Sequence, residues 1–134
     1  EIKDKQVKFS LELSPDISQI QADEDQVKQI LMNVIINAIQ AIPKKGEIKI
    51  KTEKALLKGE SAVKLIIKDS GVGITEKDFN QIFDPFFSTK DQGSGLGLSI
   101  VYKLIEAHQG EIKVESKEGK GTKFIIFLPQ KGGK

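Results

Sequence analysis

The order of strand-like and helix-like segments is the feature that most limits the fold of this chain. Apolar and polar residues alternate over residues 7–13, which is the pattern of a half-buried strand. Residues 23–41 contain no glycine or proline and carry an apolar stripe at helical spacing, so they predict a long helix. Further strands are predicted at 47–52, 62–68, 111–116 and 123–128, and further helices at 75–82 and 98–108.

Short turns join most of these segments. Lys58-Gly59 predicts a hairpin, Thr75 with Asp78 resembles a helix capping box, and Gly110 stands where a glycine commonly ends a helix. This order predicts an α+β fold, a two-layer α/β sandwich in which a mixed, largely antiparallel sheet carries about three helices on one face. Residues 83–97 lack any period and are expected to form a functional loop.

The composition is that of one globular domain covering residues 1–134. Hydrophobic residues make up 38% and charged residues 30%, and the net charge is only +2 with no basic block, so a nucleic acid partner is not expected. Cysteine is absent, which excludes disulfides and thiolate sites. No segment has the length of a membrane span or a signal peptide. The missing initiator methionine predicts a piece of a longer protein.

Asn33 and Asn37 are one helical turn apart and therefore project to one side of the long helix. An amide oxygen is a hard ligand that suits Mg²⁺, which keeps phosphate and water at its other positions. Asparagines on a solvated helix face are the alternative interpretation.

Asp69 ends an apolar strand and is followed by the glycine turn of Gly71 and Gly73. A carboxylate there can accept a hydrogen bond from an exocyclic amine, while the two glycines would let a flat ring approach the backbone and Ile74 could line it. An ordinary strand-terminal turn is the alternative.

A second glycine-rich segment lies directly before the last predicted helix. It consists of Gly93, Ser94, Gly95, Leu96, Gly97 and Leu98. Free amides at a helix N-terminus form a site for phosphate, and Lys90 could add a mobile positive charge. A flexible hinge is the alternative.

Two further features invite a functional interpretation. Phe83, Phe86 and Phe87 cluster around Asp84-Pro85, where they could form core packing or a hydrophobic latch beside a ligand or a partner. His108 is the only histidine, but its place in the last turn of a helix favours a role at the helix end over a catalytic one.

Together these segments resemble the ATP-binding catalytic domain of two-component sensor histidine kinases, in the wider superfamily of gyrase, heat-shock chaperone and mismatch-repair ATPases. The resemblance rests on five motifs in order. Residues 33–41 match the N box, 69–74 and 93–98 two glycine boxes, 83–87 the F box and 119–122 the last glycine box. Gln40 and the short segment between Lys90 and Gly93 are similar to nitrogen-regulation and sporulation-type kinases.

The resemblance implies specific roles and a known fold, the Bergerat ATP-binding fold. Asp69, with Thr122, would receive adenine, Asn37 would ligate Mg²⁺ and Asn33 would lie near the phosphates. The nucleotide would also contact the loop residues Phe87 and Lys90 and the segment from Gly93 to Leu98, and Lys90 and Asn33 would assist phosphoryl transfer. In the hydrolysing branches a glutamate stands at the position of Asn33, and because an amide cannot act as a base, fast ATP hydrolysis is not expected.

The implied reaction is transfer of the ATP γ-phosphoryl group to a histidine on a separate dimerisation domain. The resemblance also implies a response regulator as the downstream partner. The chain alone is expected to be a cytoplasmic monomer without direct membrane contact that binds Mg-ATP but does not phosphorylate itself. Two alternatives remain: a regulatory module that binds ATP without transfer, and a serine kinase of the anti-sigma type.

Overall fold

A computed structural model describes residues 5–14, 24–84 and 97–130 of the chain. In this part of the chain, five strands and three helices follow one another in the order β, α, β, β, α, α, β, β, as the sequence predicts. The strands are β1 (Gln6–Glu12), β2 (Lys45–Leu57), β3 (Glu60–Asp69), β4 (Glu111–Lys117) and β5 (Gly121–Pro129). The helices are α1 (Glu24–Ala41), α2 (Glu76–Phe79) and α3 (Gly97–Ala107).

The strands form one sheet in the order β1-β2-β3-β5-β4. β1 pairs with β2 in parallel, and the other three pairs are antiparallel, so the predicted mixed, largely antiparallel sheet is confirmed. The β2–β3 hairpin turns at Lys58 and Gly59, whose φ angles of 52° and 81° are those of a tight hairpin turn. β2 continues to Leu57, beyond the predicted end at residue 52, because its ladder with β3 extends to the turn.

α1 and α3 pack on one face of this sheet, as predicted. The core consists of side chains from both helices and from the sheet face toward them. The helices and the residue that follows α1 contribute Ile30, Val34, Ala38, Ile42, Val101 and Ile105. The strands contribute Ile48, Leu65, Ile67, Phe124, Ile126 and Leu128. Successive strand residues point to opposite faces, so residues two apart share this core-facing side. The alternation therefore determines which polar side chains of the strands point toward the helices.

The other face of the sheet carries charged side chains. Lys51 Nζ lies 3.0 Å from Glu53 Oε2, and this hydrogen bond raises the pKa of Lys51 and lowers the pKa of Glu53. Lys64 and Lys113 both lie over the Phe127 ring, with Nζ 5.8 Å and 5.6 Å from its centroid. Because the Lys51–Glu53 pair is solvated, it contributes little to stability.

α2 begins with the predicted cap. The Thr75 hydroxyl accepts a hydrogen bond from the Asp78 amide at 3.2 Å, and Thr75 has extended backbone angles. The helix ends at Phe79, short of the predicted residue 82, because the next residues form tighter turns in which the Gln81 amide donates to the Asp78 carbonyl.

The end of α3 corrects the prediction for Gly110. The Gly110 amide donates to the Ile105 carbonyl and the Gln109 amide to the Glu106 carbonyl, both at 2.9 Å, which is a Schellman motif. Its left-handed residue is Gln109, with a φ of 60°. Gly110 is required for a different reason, since a Cβ there would lie 2.2 Å from the Phe127 carbonyl oxygen.

Gln109→Gly is expected to stabilise the fold by about 1 kcal/mol, because glycine adopts the left-handed conformation without the cost borne by other residues. Urea unfolding measures the change. Lys103→Gly is the control, since the same substitution at an exposed position in the middle of α3 is expected to cost about 1 kcal/mol. Equal destabilisation by both variants would contradict the strain at Gln109.

Candidate functional site

Three polar side chains form a row where the apolar core ends. Asp69 on β3 lies opposite Thr122 on β5, and Thr122 lies opposite Ser116 on β4. Asp69 is only 2% exposed and Thr122 only 5%, while Ser116 is half-buried. Two residues further into each strand, on the same face, the side chains are apolar: Ile67, Phe124 and Val114. The alternation that builds the core therefore also delivers this polar row to its edge.

The Asp69 carboxylate is oriented by the turn that follows it. Asp69 Oδ1 accepts a hydrogen bond from the Gly71 amide at 2.8 Å. Desolvating a carboxylate is costly unless hydrogen bonds compensate, and this local bond supplies one of them. The structure thus presents a buried, oriented hydrogen-bond acceptor at the end of β3.

The glycine turn after Asp69 is attached to three other parts of the chain. The Val72 amide donates to the Ala41 carbonyl at 2.9 Å, and the Val72 carbonyl accepts from the Gly119 amide at 2.7 Å. The Ile74 amide donates to Ser116 Oγ at 2.8 Å. These bonds connect the turn to the end of α1, to the β4–β5 turn and to β4, so they hold it in one conformation.

The glycines of this turn accommodate protein backbone. A Cβ on Gly71 would lie 2.5 Å from the Ala41 carbonyl oxygen, and a Cβ on Gly73, whose φ is 76°, would lie 2.2 Å from the Lys117 carbonyl oxygen. The sequence correctly indicated a close approach at these two positions, but the group that occupies the Cβ direction is the chain itself. Approach of a flat ring to the same turn stays a prediction.

Asn33 lies on the side of α1 that meets α3, and Asn37 follows it by one helical turn. Asn33 Nδ2 donates to the Gly97 carbonyl at 3.4 Å, and both Asn33 and Asn37 are half-buried. A fully solvated helix face, the alternative considered from the sequence, does not describe these positions. Asn33 thus lies beside the first residue of α3.

α1 connects the two halves of the candidate site. Its last residue, Ala41, accepts the hydrogen bond from Val72 in the first glycine turn, and Asn33 contacts Gly97. Asn33 and Ala41 are about 12 Å apart along the axis at 1.5 Å per residue, and Asn37 lies midway. The helix therefore holds the turn after Asp69 and the start of α3 at a fixed separation.

The second glycine segment is described only at its end. Gly97 is the first residue of α3, one residue before the predicted start of this helix at Leu98, and Leu98 packs against the core. The other predicted site residues of this region lie outside the described residues, and their roles stay predictions: Phe87, Lys90, Gly93, Ser94, Gly95 and Leu96.

Two candidates outside the row have structural roles. Phe83 packs against the core, and its ring centroid lies 5.4 Å from that of Tyr102, which confirms that at least one of the clustered phenylalanines serves packing. His108 Nδ1 lies 2.9 Å from the Leu104 carbonyl oxygen at the end of α3. This end is about 16 Å along the helix from Gly97.

Ser116 is the site residue that the sequence interpretation missed. Its Oγ contacts Ile74, Gly121 and Thr122, three neighbours of the candidate site. The available signal was its position: it follows Ile112 and Val114 at spacing two, which places a hydroxyl on the core-facing side of β4.

A cavity of about 560 Å³ lies elsewhere, where β1 and β2 begin. It is lined by Gln6, Val7, Lys8, Lys45, Gly46, Glu47 and Ser70. The buried row contributes none of these residues, and this open cleft lacks the buried acceptors found at Asp69 and Thr122. The chemistry of the side chains therefore favours the row as the candidate site.

Neither of two other functional features occurs in the described part of the chain. Residues 5–14, 24–84 and 97–130 hold no group of three or more His, Asp or Glu residues arranged to bind a metal ion. None of their helices has the length and apolar character needed to cross a membrane.

Comparison with known proteins gives the same family as the motifs. The sequence profile of the family described as "Histidine kinase-, DNA gyrase B-, and HSP90-like ATPase" matches residues 22–132. The chain is 46% identical over 92% of its length to sporulation kinase E of Bacillus subtilis, and 44% identical over 92% to the signal transduction histidine-protein kinase AtoS of Escherichia coli. It spans only 16% and 20% of those two relatives.

Solved structures of histidine kinases share the fold. The catalytic domain of histidine kinase ThkA superposes with a TM-score of 0.81 at 38% identity, covering 97% of this chain and 83% of that one. Full-length ShkA, solved in complex with AMPPNP, gives a TM-score of 0.79 at 28% identity and covers 95% of this chain and 26% of that one. The predicted fold class is confirmed, and an ATPase domain implies ATP binding. The chain belongs to the family of histidine kinase-, DNA gyrase B- and HSP90-like ATPases.

Proposed function

We propose that the chain binds Mg-ATP and donates the γ-phosphoryl group to a histidine on a separate helical dimerisation domain, as the catalytic part of a two-component signalling kinase. The observation that carries this proposal is the buried pair of Asp69 and Thr122, held by α1 at a fixed separation from the start of α3. The sensor kinases among the relatives support it.

Adenine would bind at the Asp69 end. The carboxylate, already oriented by the Gly71 amide, can accept a hydrogen bond from the exocyclic amine. Gly71, Gly73 and Ile74 form the rigid turn beside it, and Thr122 completes the polar row. Because these groups are fixed before the nucleotide arrives, little conformational entropy is lost when it binds.

The phosphates would lie toward Asn37, Asn33 and the beginning of α3. Mg²⁺ binds through few protein oxygens and keeps phosphate and water ligands, so the Asn37 amide oxygen together with the nucleotide fits it without a carboxylate cluster. When bound, the ion neutralises negative charge on the phosphates. Gly97 and Leu98 open α3, where free amides and the helix dipole favour an anion. Lys90 and residues 93–96 would complete this end.

The proposed chemistry is positioning and charge stabilisation. The bond from the γ-phosphorus to the β–γ bridging oxygen breaks and the oxygen leaves with ADP, a bond to an imidazole nitrogen forms, and the imidazole passes its N–H proton to solvent. The imidazole comes from the partner domain, while this chain aligns the phosphoryl group. Asn33 cannot remove a proton from water, which protects ATP from hydrolysis before transfer. A response regulator would then receive the phosphoryl group. Because the reaction consumes ATP, it would take place on the cytoplasmic side.

The test is phosphorylation in trans. The chain is mixed with a helical histidine-containing domain from a related sporulation-type kinase and γ-labelled Mg-ATP. We expect acid-labile label on the acceptor, none on an acceptor whose histidine is replaced by alanine, and none on the chain alone. Stoichiometric label on the chain itself would overturn the proposal, and an acid-stable product would indicate a serine kinase.

A further inference from the structure

Ser116 lies at the meeting point of three hydrogen bonds beside the candidate site. Its Oγ accepts from the Ile74 amide at 2.8 Å and donates to the Gly121 carbonyl at 3.0 Å. It also lies 2.8 Å from Thr122 Oγ1. The first two contacts constrain the third, because a serine hydroxyl has one hydrogen and two lone pairs.

Counting hydrogens gives the direction of the bond between the two hydroxyls. The Gly121 carbonyl can only accept, so the Ser116 hydrogen is used there. The hydrogen between Ser116 and Thr122 then comes from Thr122, and with the Ile74 amide it fills both lone pairs of Ser116. Because its hydrogen is used in this bond, Thr122 Oγ1 can only accept a hydrogen bond from a ligand.

We infer that Ser116 is a positioning residue that makes Thr122 a hydrogen-bond acceptor, so that the site selects a purine with an amino group at position 6. The inference rests on the proposed function. Asp69 and Thr122 lie directly opposite each other on β3 and β5, and both then present lone pairs. A 6-amino group can donate to such a site, whereas a 6-oxo group would meet acceptors only and lose the hydrogen bonds it had with water.

ATP and ITP test this selectivity, because ITP carries an oxygen in place of the 6-amino group and a hydrogen on N1, and is otherwise identical to ATP. Calorimetry gives both dissociation constants with Mg²⁺ present. In Ser116→Ala the Thr122 hydroxyl can turn and donate to the oxygen, so we expect the preference for ATP over ITP to fall by about tenfold. Ser10→Ala is the matched control, since Ser10 is exposed on the helix-free side of β1, and its preference should equal that of the parent.

A double variant separates positioning from a general structural effect. Thr122→Val removes the hydroxyl that Ser116 orients, so adding Ser116→Ala to it should leave the ATP-to-ITP ratio unchanged. Ser116→Cys fills similar space with a weak hydrogen-bond acceptor and should reproduce the loss of preference. It provides the measurement if the alanine variant fails to fold.

The outcomes distinguish this inference from the proposed function. A parent chain that binds neither nucleotide would overturn both. A parent chain that prefers ATP, with Ser116→Ala and Ser116→Cys weakening both nucleotides equally, would overturn the role of Ser116 alone and leave ATP binding intact.

Discussion

Asp69→Ala is expected to weaken Mg-ATP binding by at least about 100-fold, or about 2.8 kcal/mol at 1.4 kcal/mol per tenfold. The substitution removes a buried, oriented carboxylate that would accept the adenine amine, and the amine then loses its hydrogen bond to water without compensation. Titration of a fluorescent ATP analogue, with and without Mg²⁺, measures the loss on the parent and the variant.

Two controls make this measurement specific. Asp25→Ala removes a carboxylate from an exposed position in the first turn of α1 and should bind ATP as the parent does. Because the Gly71 amide loses its partner in Asp69→Ala, circular dichroism must first show that the variant is folded. Equal binding by a folded Asp69→Ala variant would remove the adenine assignment.

Gly73→Ala is expected to destabilise the fold by about 2–5 kcal/mol. The left-handed backbone costs about 1–2 kcal/mol for a residue with a side chain, and relieving the overlap of the new methyl group with neighbouring atoms costs about 1–3 kcal/mol more. The overlap is with the Lys117 carbonyl oxygen, 2.2 Å from the position of the Cβ. Urea unfolding measures the loss of stability.

Gly59→Ala is the matched control for this second prediction. Gly59 has a φ of 81°, close to the 76° of Gly73, but a Cβ there would meet nothing within 4 Å. It should therefore lose only the conformational part, about 1–2 kcal/mol, and keep ATP binding. If both variants lose the same stability, the close contact between Gly73 and the Lys117 carbonyl has no energetic consequence. The crowding at Gly73 would then not explain why the turn beside Asp69 is rigid.

Local patterns predicted the elements of this fold well. Alternation identified the strands, the absence of glycine and proline outlined α1, and Thr75 with Asp78 predicted the cap of α2. The last turn of α3 was less predictable, because Gln109 takes the left-handed conformation that glycine usually takes while the adjacent Gly110 avoids a clash with β5. Contacts with a distant strand override local preference in such positions.

The candidate site was predictable only in part. Asp69 stood out because a charged residue follows an apolar strand, but its pairing opposite Thr122 depends on strand order and register, which periodicity does not determine. Thr122 entered through the resemblance alone. Ser116 was not predicted, because nothing in the local sequence distinguishes it from other serines in alternating strands. Its contacts come from residues that are distant in the sequence or on the neighbouring strand. The glycines indicated crowding without revealing that backbone causes it.

The most direct measurement is an amide chemical-shift titration of the ¹⁵N-labelled chain with Mg-ATP. Binding at the proposed site predicts the largest shifts at the end of β3, in residues 71–74 and at Thr122, with smaller changes on the opposite face of the sheet. Asp69→Ala should suppress these shifts at the same nucleotide concentration. Shifts concentrated instead around Lys8, Lys45 and Glu47, at the cavity where β1 and β2 begin, would contradict an ATP site built on Asp69 and Thr122.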